Sequence, residues 1–317
     1  VAKLMGDGVL CYFGWPRARE DEVERAVRAG LAAVQAVGRL RTLSGEPLAC
    51  RVGIATGLVV VGDLIFVSGQ ASVDATGQII SDSFEVEFRR SIDNLRRVLE
   101  AAGYTLHVAH RPDQHLCCGR TYLSSGMVDQ AREQVRALVE YLLPLAQQGV
   151  PIVGLEPSCL LTLRDEALQL GLGETAHTVA AQALLWEEFL DREHQAGKLE
   201  TLRTRLTSAQ APFLLHGHCH QKAFDLVSPI QRVLALIPHS STTLIETSCC
   251  GMAGSFGYDA NHQDVSMAMA RLSLLPTIEK HPDAWVVADG TSCRHQIDHG
   301  AKRQALHVAQ VLALHLS

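Results

Sequence analysis

Little in this sequence points toward nucleic acid, a bilayer or disorder. Positive charge is not in excess. The 28 Lys and Arg stand against 34 Asp and Glu, for a formal net charge of −6, so a broad basic face for a phosphate backbone is excluded. No stretch approaches the uninterrupted apolar length of a membrane-spanning helix. The first residues, Val1-Ala2-Lys3-Leu4-Met5-Gly6-Asp7, hold no apolar segment of a secretory signal, and a cytoplasmic protein is expected. They also lack an initiator Met, which leads to the expectation of a fragment. Aromatic residues are scarce at 5%, but apolar residues reach 47% and charged ones only 20%. That balance excludes a disordered chain and leaves 317 residues to form a globular core, enough for two domains.

Cysteine is the residue present in quantity. There are nine: Cys11, Cys50, Cys117, Cys118, Cys159, Cys219, Cys249, Cys250 and Cys293. The number is odd, and a reducing compartment disfavours structural disulfides. Seven of the nine follow residue 116, a clustering that points to metal or redox chemistry. Cys11 and Cys50 stand apart and read as small buried apolar residues.

The clustered cysteines repeat. Cys117-Cys118-Gly119 recurs as Cys249-Cys250-Gly251, an offset of 132 residues. Ile152-Val153-Gly154-Leu155-Glu156-Pro157-Ser158-Cys159 recurs as Val286-Val287-Ala288-Asp289-Gly290-Thr291-Ser292-Cys293, an offset of 134. Two motifs in one order at nearly one offset indicate a tandem duplication. Short apolar runs precede the cysteines: Ile152-Val153, Phe213-Leu214-Leu215, Leu244-Ile245 and Trp285-Val286-Val287. Such runs read as buried parallel strands. Between them lie amphipathic helices, one with Val135, Leu138, Val139, Leu142 and Leu143 on a single face and Gly149 as its stop. The expected fold is α/β, with two tandem pseudo-repeated open halves, preceded by an α+β region.

In open α/β sheets, ligands bind beyond the carboxyl ends of the strands. Three strand ends of the second half would bring Cys219, Cys249, Cys250 and Cys293 together. Four thiolates are the usual complement of an iron–sulfur cluster, and they also suit zinc. Glycine after each Cys-Cys pair permits a positive φ that turns backbone N–H groups toward sulfur. His216, His218 and His220 crowd this site. Histidines at alternating positions beyond a strand could be ligands, but they are expected rather to support the ligands by hydrogen bonds, His218 and His220 above all.

The strings Leu116-Cys117-Cys118-Gly119-Arg120, Leu155-Glu156-Pro157-Ser158-Cys159, His216-Gly217-His218-Cys219-His220-Gln221-Lys222, Ser248-Cys249-Cys250-Gly251-Met252-Ala253-Gly254-Ser255-Phe256-Gly257 and Asp289-Gly290-Thr291-Ser292-Cys293-Arg294-His295 resemble the CCG-type cysteine-rich domain pair. That family occurs in heterodisulfide reductases, in iron–sulfur subunits of glycolate and glycerol-3-phosphate oxidoreductases, and at the C-termini of FAD-linked oxidases. The resemblance covers about residues 107–317. It implies electron transfer through a 4Fe–4S cluster, from a flavin- or ferredoxin-type donor toward a quinone or disulfide acceptor. It also implies a place at the inner membrane only through a partner. Two departures stand out. The family's Cys-x-x-Cys ends are Cys159…Thr162 and Cys293…Gln296 here, and the first half has Ser81 and Ser83 where a counterpart of Cys219 would sit. The cluster is therefore expected in the second half. Cys117, Cys118 and Cys159 are left to zinc, an incomplete site or none.

The first third differs. Lys3 to Phe13 reads as strand, turn and strand, Glu22–Leu43 as a helix and Arg51–Gly57 as a strand. With Phe13-Gly14-Trp15-Pro16 and Val52-Gly53-Ile54-Ala55-Thr56-Gly57, this stretch (1–64) resembles a class III nucleotide cyclase. In that family the Lys at position 3 selects the purine and the Asp at position 7 is one of two metal-binding aspartates. The second aspartate and the transition-state Asn and Arg have no counterpart in this sequence, so the resemblance implies no cyclase activity. Residues 65–106 resemble the first half of a reactive-intermediate deaminase. They comprise a strand end at Phe66–Gln70, a hairpin at 74–78 and an amphipathic helix from Ser83 to Ala102. That family's substrate-gripping Arg is missing. The expected organisation is thus 1–64, 65–106, 107–205 and 206–317, a chimera joined where neighbouring families share short strings. Truncated pieces lack partners for their apolar faces, and poor packing or a non-native strand–helix layer is expected over residues 1–106.

Overall fold

The computed structural model describes the backbone of residues 2–5, 8–11 and 84–92. It describes backbone and side chains of 93–106, 116–254 and 256–317, with Ala29, Ala32 and Arg39 besides. Two compact units are present, Val1–Leu58 and Val59–Ser317. In the first, β1 (Ala2–Met5) pairs antiparallel with β2 (Gly8–Cys11), Lys3 opposite Leu10 and Met5 opposite Gly8. The two strands of the expected strand–turn–strand are therefore present. Asp7, Cys50, the Arg51–Gly57 strand, the Phe66–Gln70 strand end and the 74–78 hairpin lie outside the described residues, as does the Glu22–Leu43 helix apart from its isolated positions.

The second unit is built on parallel strands. β3 (Ile152–Gly154) pairs with β4 (Ala183–Leu185), Ile152 opposite Ala183. β5 (Phe213–His216), β6 (Thr242–Leu244), β7 (Trp285–Ala288) and β8 (Ala305–Leu306) form a four-stranded sheet in the order β6-β5-β7-β8. Every pairing in it is parallel. Helices fill each crossover, as parallel strands require. The fold is thus α/β, with two described strands in the first half and four in the second.

Burial explains which runs became strands. All four residues of β5 are buried, and β7 is buried after Trp285, as expected for a sheet covered on both faces. Alternation sorts their side chains. Leu214 and Val286 pack on one face with Cys250, Cys293, Leu274 and Ile297. Phe213, Leu215 and Val287 pack on the other with Trp186, Phe189, Val311 and Leu312. β6 departs from expectation: it is an edge strand, and Leu244 is 37% exposed. The buried residue of that run is Ile245, whose N–H donates to the Leu215 carbonyl at 2.8 Å.

The helix Val128–Gln147 buries Val135, Leu138, Val139 and Leu142. Gly149, at φ 74°, follows its end. The helix Phe84–Ala101 buries Leu95, Val98 and Leu99 in the same cluster as Phe213 and Val311, and it packs on the helices Val308–Leu314 and Glu200–Arg205. Poor packing over residues 1–106 therefore fails for this helix, which is a wall of the main core. The expectation treated it as half of a truncated domain and missed a partner far along the chain. Leu99→Ala should lower unfolding free energy by about 2–5 kcal/mol, and Arg97→Ala by less than about 0.5 kcal/mol. Urea denaturation measures both, and equal small losses would contradict the core role.

Candidate metal centre

Parallel strands place their carboxyl ends on one edge of the sheet, and the second-half cysteines follow those ends. Cys219 opens the turn Cys219–Ala223 after β5, Cys249 and Cys250 follow β6, and Cys293 lies in the first turn of the helix Thr291–Ala301 after β7. The Cys250 and Cys293 thiols lie within 4.8 Å of each other, and the Cys249 thiol is close enough to Cys250 for each to shift the other's pKa. Cys219 sits near enough to Cys249 to feel its charge. Its ring neighbour is His218, with Sγ 3.9 Å from Nδ1. Cys250 and Cys293 are buried, while Cys219 is exposed. A tighter set is His216, Cys250 and Cys293, whose donor atoms all lie within 4.8 Å of one another.

The glycine reasoning holds in both halves. Gly119 has φ 75° and Gly251 φ 94°. Their N–H groups donate to Cys117 Sγ at 3.3 Å and Cys249 Sγ at 3.2 Å. In the first half, Cys118 is close enough to Cys117 and Cys159 for both to shift its pKa. Cys159 holds the same place in the helix Pro157–Arg164 that Cys293 holds in its own. At the departures from Cys-x-x-Cys, Thr162 donates to the Ser158 carbonyl at 2.8 Å. Gln296 donates to the Ser266 carbonyl and hydroxyl, each at 3.0 Å, tying the helix Gln263–Leu272 to the site.

The electrostatics resist free thiolates. The contact with Cys250, with burial, pushes the Cys249 thiol far up. Cys250 is pushed up to about 12: Cys249 lowers it, and Cys293 and burial outweigh that. Crowded thiols ionise together only if positive charge is supplied among them. Lys222 provides one charge. Burial lowers its pKa, and Cys293, Cys219, Cys249 and Cys250 all raise it. Its ammonium donates to the Thr247 carbonyl just before the Cys-Cys pair. Burial drives His216 down to about 3 and His218 down to about 4, so both rings are neutral at neutral pH.

His218 has structural work. Its Nδ1 accepts from the His220 N–H at 3.2 Å, and its own N–H donates to Gln221 Oε1 at 2.9 Å. Gln221 then donates to Glu187 at 2.5 Å and Asp289 at 2.9 Å. Asp289 accepts from the Val308 N–H at 3.0 Å. Glu156 joins the halves: it accepts from the Ser158 hydroxyl at 2.8 Å, the Thr291 N–H at 2.9 Å and the Thr291 hydroxyl at 2.8 Å. Glu156, Asp289, Gln221 and Lys222 lie inside the motif strings, yet their sequence gave no sign of these partners. Lys3 lies on β1, and Asp7 is outside the described residues.

A parallel-sheet α/β protein with cysteines collected at strand ends is the class that fold and site define. Comparisons with known proteins agree with it. Residues 87–164 match the family model described as Cysteine-rich domain, and residues 55–108 match that of Endoribonuclease L-PSP. The chain is 26% identical to a subunit of the anaerobic glycerol-3-phosphate dehydrogenase of Escherichia coli (strain K12) over 225 residues, 69% of this chain and 54% of that protein. It is 27% identical to the D-2-hydroxyglutarate dehydrogenase of Pantoea ananatis over 238 residues, 74% of this chain and 22% of that one. A RutC family protein of Saccharolobus solfataricus is 47% identical over 49 residues, 15% of this chain and 39% of that protein. The chain thus spans about half the length of the glycerol-3-phosphate dehydrogenase relative and about a fifth of the Pantoea dehydrogenase. None of these matches is to a cyclase. Among the described residues, no helix is long and apolar enough to cross a membrane.

A Cβ on Gly251 would stand 2.1 Å from the Ser266 carbonyl oxygen, whereas one on Gly103, at φ 85°, meets nothing within 4 Å. In urea titrations Gly251→Ala should cost on the order of 3 kcal/mol or more, and Gly103→Ala about 1–2 kcal/mol. Glu156 is held below the ordinary carboxylate range: burial works against this, but His218, the Thr291 N–H and Arg294 outweigh it. A depressed folded pKa gives stability that is complete above the unfolded value, about 4.3, and lost as pH falls through the folded one. Glu156→Gln should be less stable at pH 7 and flatten the fall of Tm below about pH 4. Parallel Tm curves for parent and variant would contradict this assignment.

Proposed function

We propose that residues 107–317 form an electron-transfer component of an FAD-linked oxidoreductase of the glycolate, lactate or heterodisulfide type, holding a 4Fe–4S cluster in the second half. The observation that carries this is the gathering of Cys249, Cys250 and Cys293 after the carboxyl ends of parallel strands, with the Cys250 and Cys293 thiols within 4.8 Å of each other. Cys219 lies beside it. The donor set fits the group: four thiols, a backbone N–H on Cys249 Sγ and the Lys222 ammonium suit an anionic sulfur-rich centre. Cys219, Cys249, Cys250 and Cys293 would hold it, and when bound it supplies one-electron exchange. The Gly251 N–H and Lys222 would bias its potential, and the apolar packing around Cys250 and Cys293 would keep water from it.

Similarity to part of a glycerol-3-phosphate dehydrogenase and to 2-hydroxyglutarate dehydrogenases supports the same reading. The electron would come from a flavin- or ferredoxin-type partner and pass to a quinone or disulfide. Any contact with the inner membrane would be made through that partner. The first half (107–205), with Cys117, Cys118 and Cys159, is a divergent copy of the second (206–317). Residues 1–64 and 65–106 are pieces of a cyclase-like and a deaminase-like domain that add no activity of their own.

Anaerobic loading of the full chain with ferrous iron and sulfide, followed by desalting, tests the proposal. Retained iron and sulfide with an EPR signal on reduction or oxidation is expected, and Cys250→Ser or Cys293→Ser should lose most of both. Retention of zinc in place of iron and sulfide would make the module a structural metal site instead.

A further inference from the structure

His216 is the last residue of β5, an inner strand lying between β6 and β7. Its side chain shares the face of Leu214, two residues earlier, which is the face that packs on Cys250 and Cys293. The ring is 1% exposed. A ring nitrogen lies within 4.8 Å of both Cys250 Sγ and Cys293 Sγ. Neither ring nitrogen has a hydrogen-bond partner among the described residues.

Other buried histidines of this unit do not share that condition. His307 accepts from the Ala309 N–H on Nδ1 at 3.0 Å and places Nε2 3.0 Å from the Leu155 carbonyl. His315 Nδ1 is 2.8 Å from the Val311 carbonyl, and His218 Nδ1 caps its own turn. A buried polar group with no partner is costly, and a core position needing only bulk would take an apolar residue. The imidazole at this place is explained by something it binds.

We propose that His216 is a direct ligand of the second-half metal centre, giving that centre an imidazole nitrogen beside its thiolates. This rests on the reading of that half as metal-binding. For His216 it favours direct ligation over the support by hydrogen bonding expected for these histidines. Cys219 is exposed and groups with His218 and His220, whereas His216 groups with Cys250 and Cys293. The innermost donors are therefore Cys250, Cys293 and His216, with the half-buried Cys249 next to Cys250 in the chain and Cys219 at the open side. Exchange of a thiolate for a neutral imidazole removes one negative charge, and in iron–sulfur centres that raises the reduction potential.

The test uses the full chain, grown with ordinary or nitrogen-15-labelled histidine and loaded anaerobically with ferrous iron and sulfide. A second portion is loaded with zinc alone. Pulsed EPR of the iron form should show a nitrogen coupling that changes with the label, and X-ray absorption of the zinc form should show nitrogen beside sulfur. His216→Cys should retain metal with sulfur coordination only. His216→Ala should bind either metal at least tenfold more weakly. Retained metal with no nitrogen in either measurement, or a nitrogen signal that survives in His216→Cys, overturns the assignment alone. A chain that retains neither iron nor zinc overturns it together with the proposed function.

Discussion

The Glu156 carboxylate is 6% exposed, and its two oxygens are shared between the halves of the cysteine-rich region. One oxygen takes the Ser158 hydroxyl of its own helix, and the other takes the Thr291 N–H and hydroxyl at the start of the helix that carries Cys293. A buried carboxylate is tolerated only when its charge is fully met, and removing donors leaves an uncompensated ion. The contact therefore fixes the Cys159 helix relative to the Cys293 helix. Much else follows from that alignment. Gly290, next to Thr291, is stacked so closely on His218 that a Cβ would come 2.3 Å from the ring. His218 in turn shapes the turn that presents Cys219.

Beneath this lies a second layer of buried charge. Glu187 is fully buried, and burial together with Asp289 pushes its carboxyl well up. Gln221 bridges the two acids, and the His307 ring lies 3.4 Å from Asp289. Arg294, also buried, donates to the Ala288 and Asp289 carbonyls at 3.0 and 2.5 Å. These groups hold the ends of β4, β7 and β8 together by polar contacts, where apolar packing alone would leave the strand ends free to slide.

Some of this was readable in the sequence, for physical reasons. β5 and β7 are apolar on both faces, so their burial and parallel pairing followed from composition. The positive φ at Gly119 and Gly251 followed from the need to aim an N–H at sulfur. β4 and β8 were not foreseen. Ala183-Leu184-Leu185 continues the pattern of the helix before it, and Ala305-Leu306 is too short to show a period. β6 was read as buried because its run is apolar, but edge position is a property of the sheet order. The apolar stripe of Phe84–Ala101 was visible, while its partner was not. His216 shares a string with His218 and His220, and only burial without a partner separates it from them.

The contact between Phe84–Ala101 and Val308–Leu314 has a consequence for synthesis. More than two hundred residues separate the two helices. At roughly 5–20 residues per second, the apolar stripe leaves the ribosome some ten to forty seconds before its counterpart exists. Cys293 emerges more than forty residues after Cys250, so Cys249 and Cys250 wait unsheltered over part of that interval. The nascent chain thus passes through a period with a naked hydrophobic helix and reactive sulfur at once. Its yield in a cell depends on how well chaperones and reductants cover that gap.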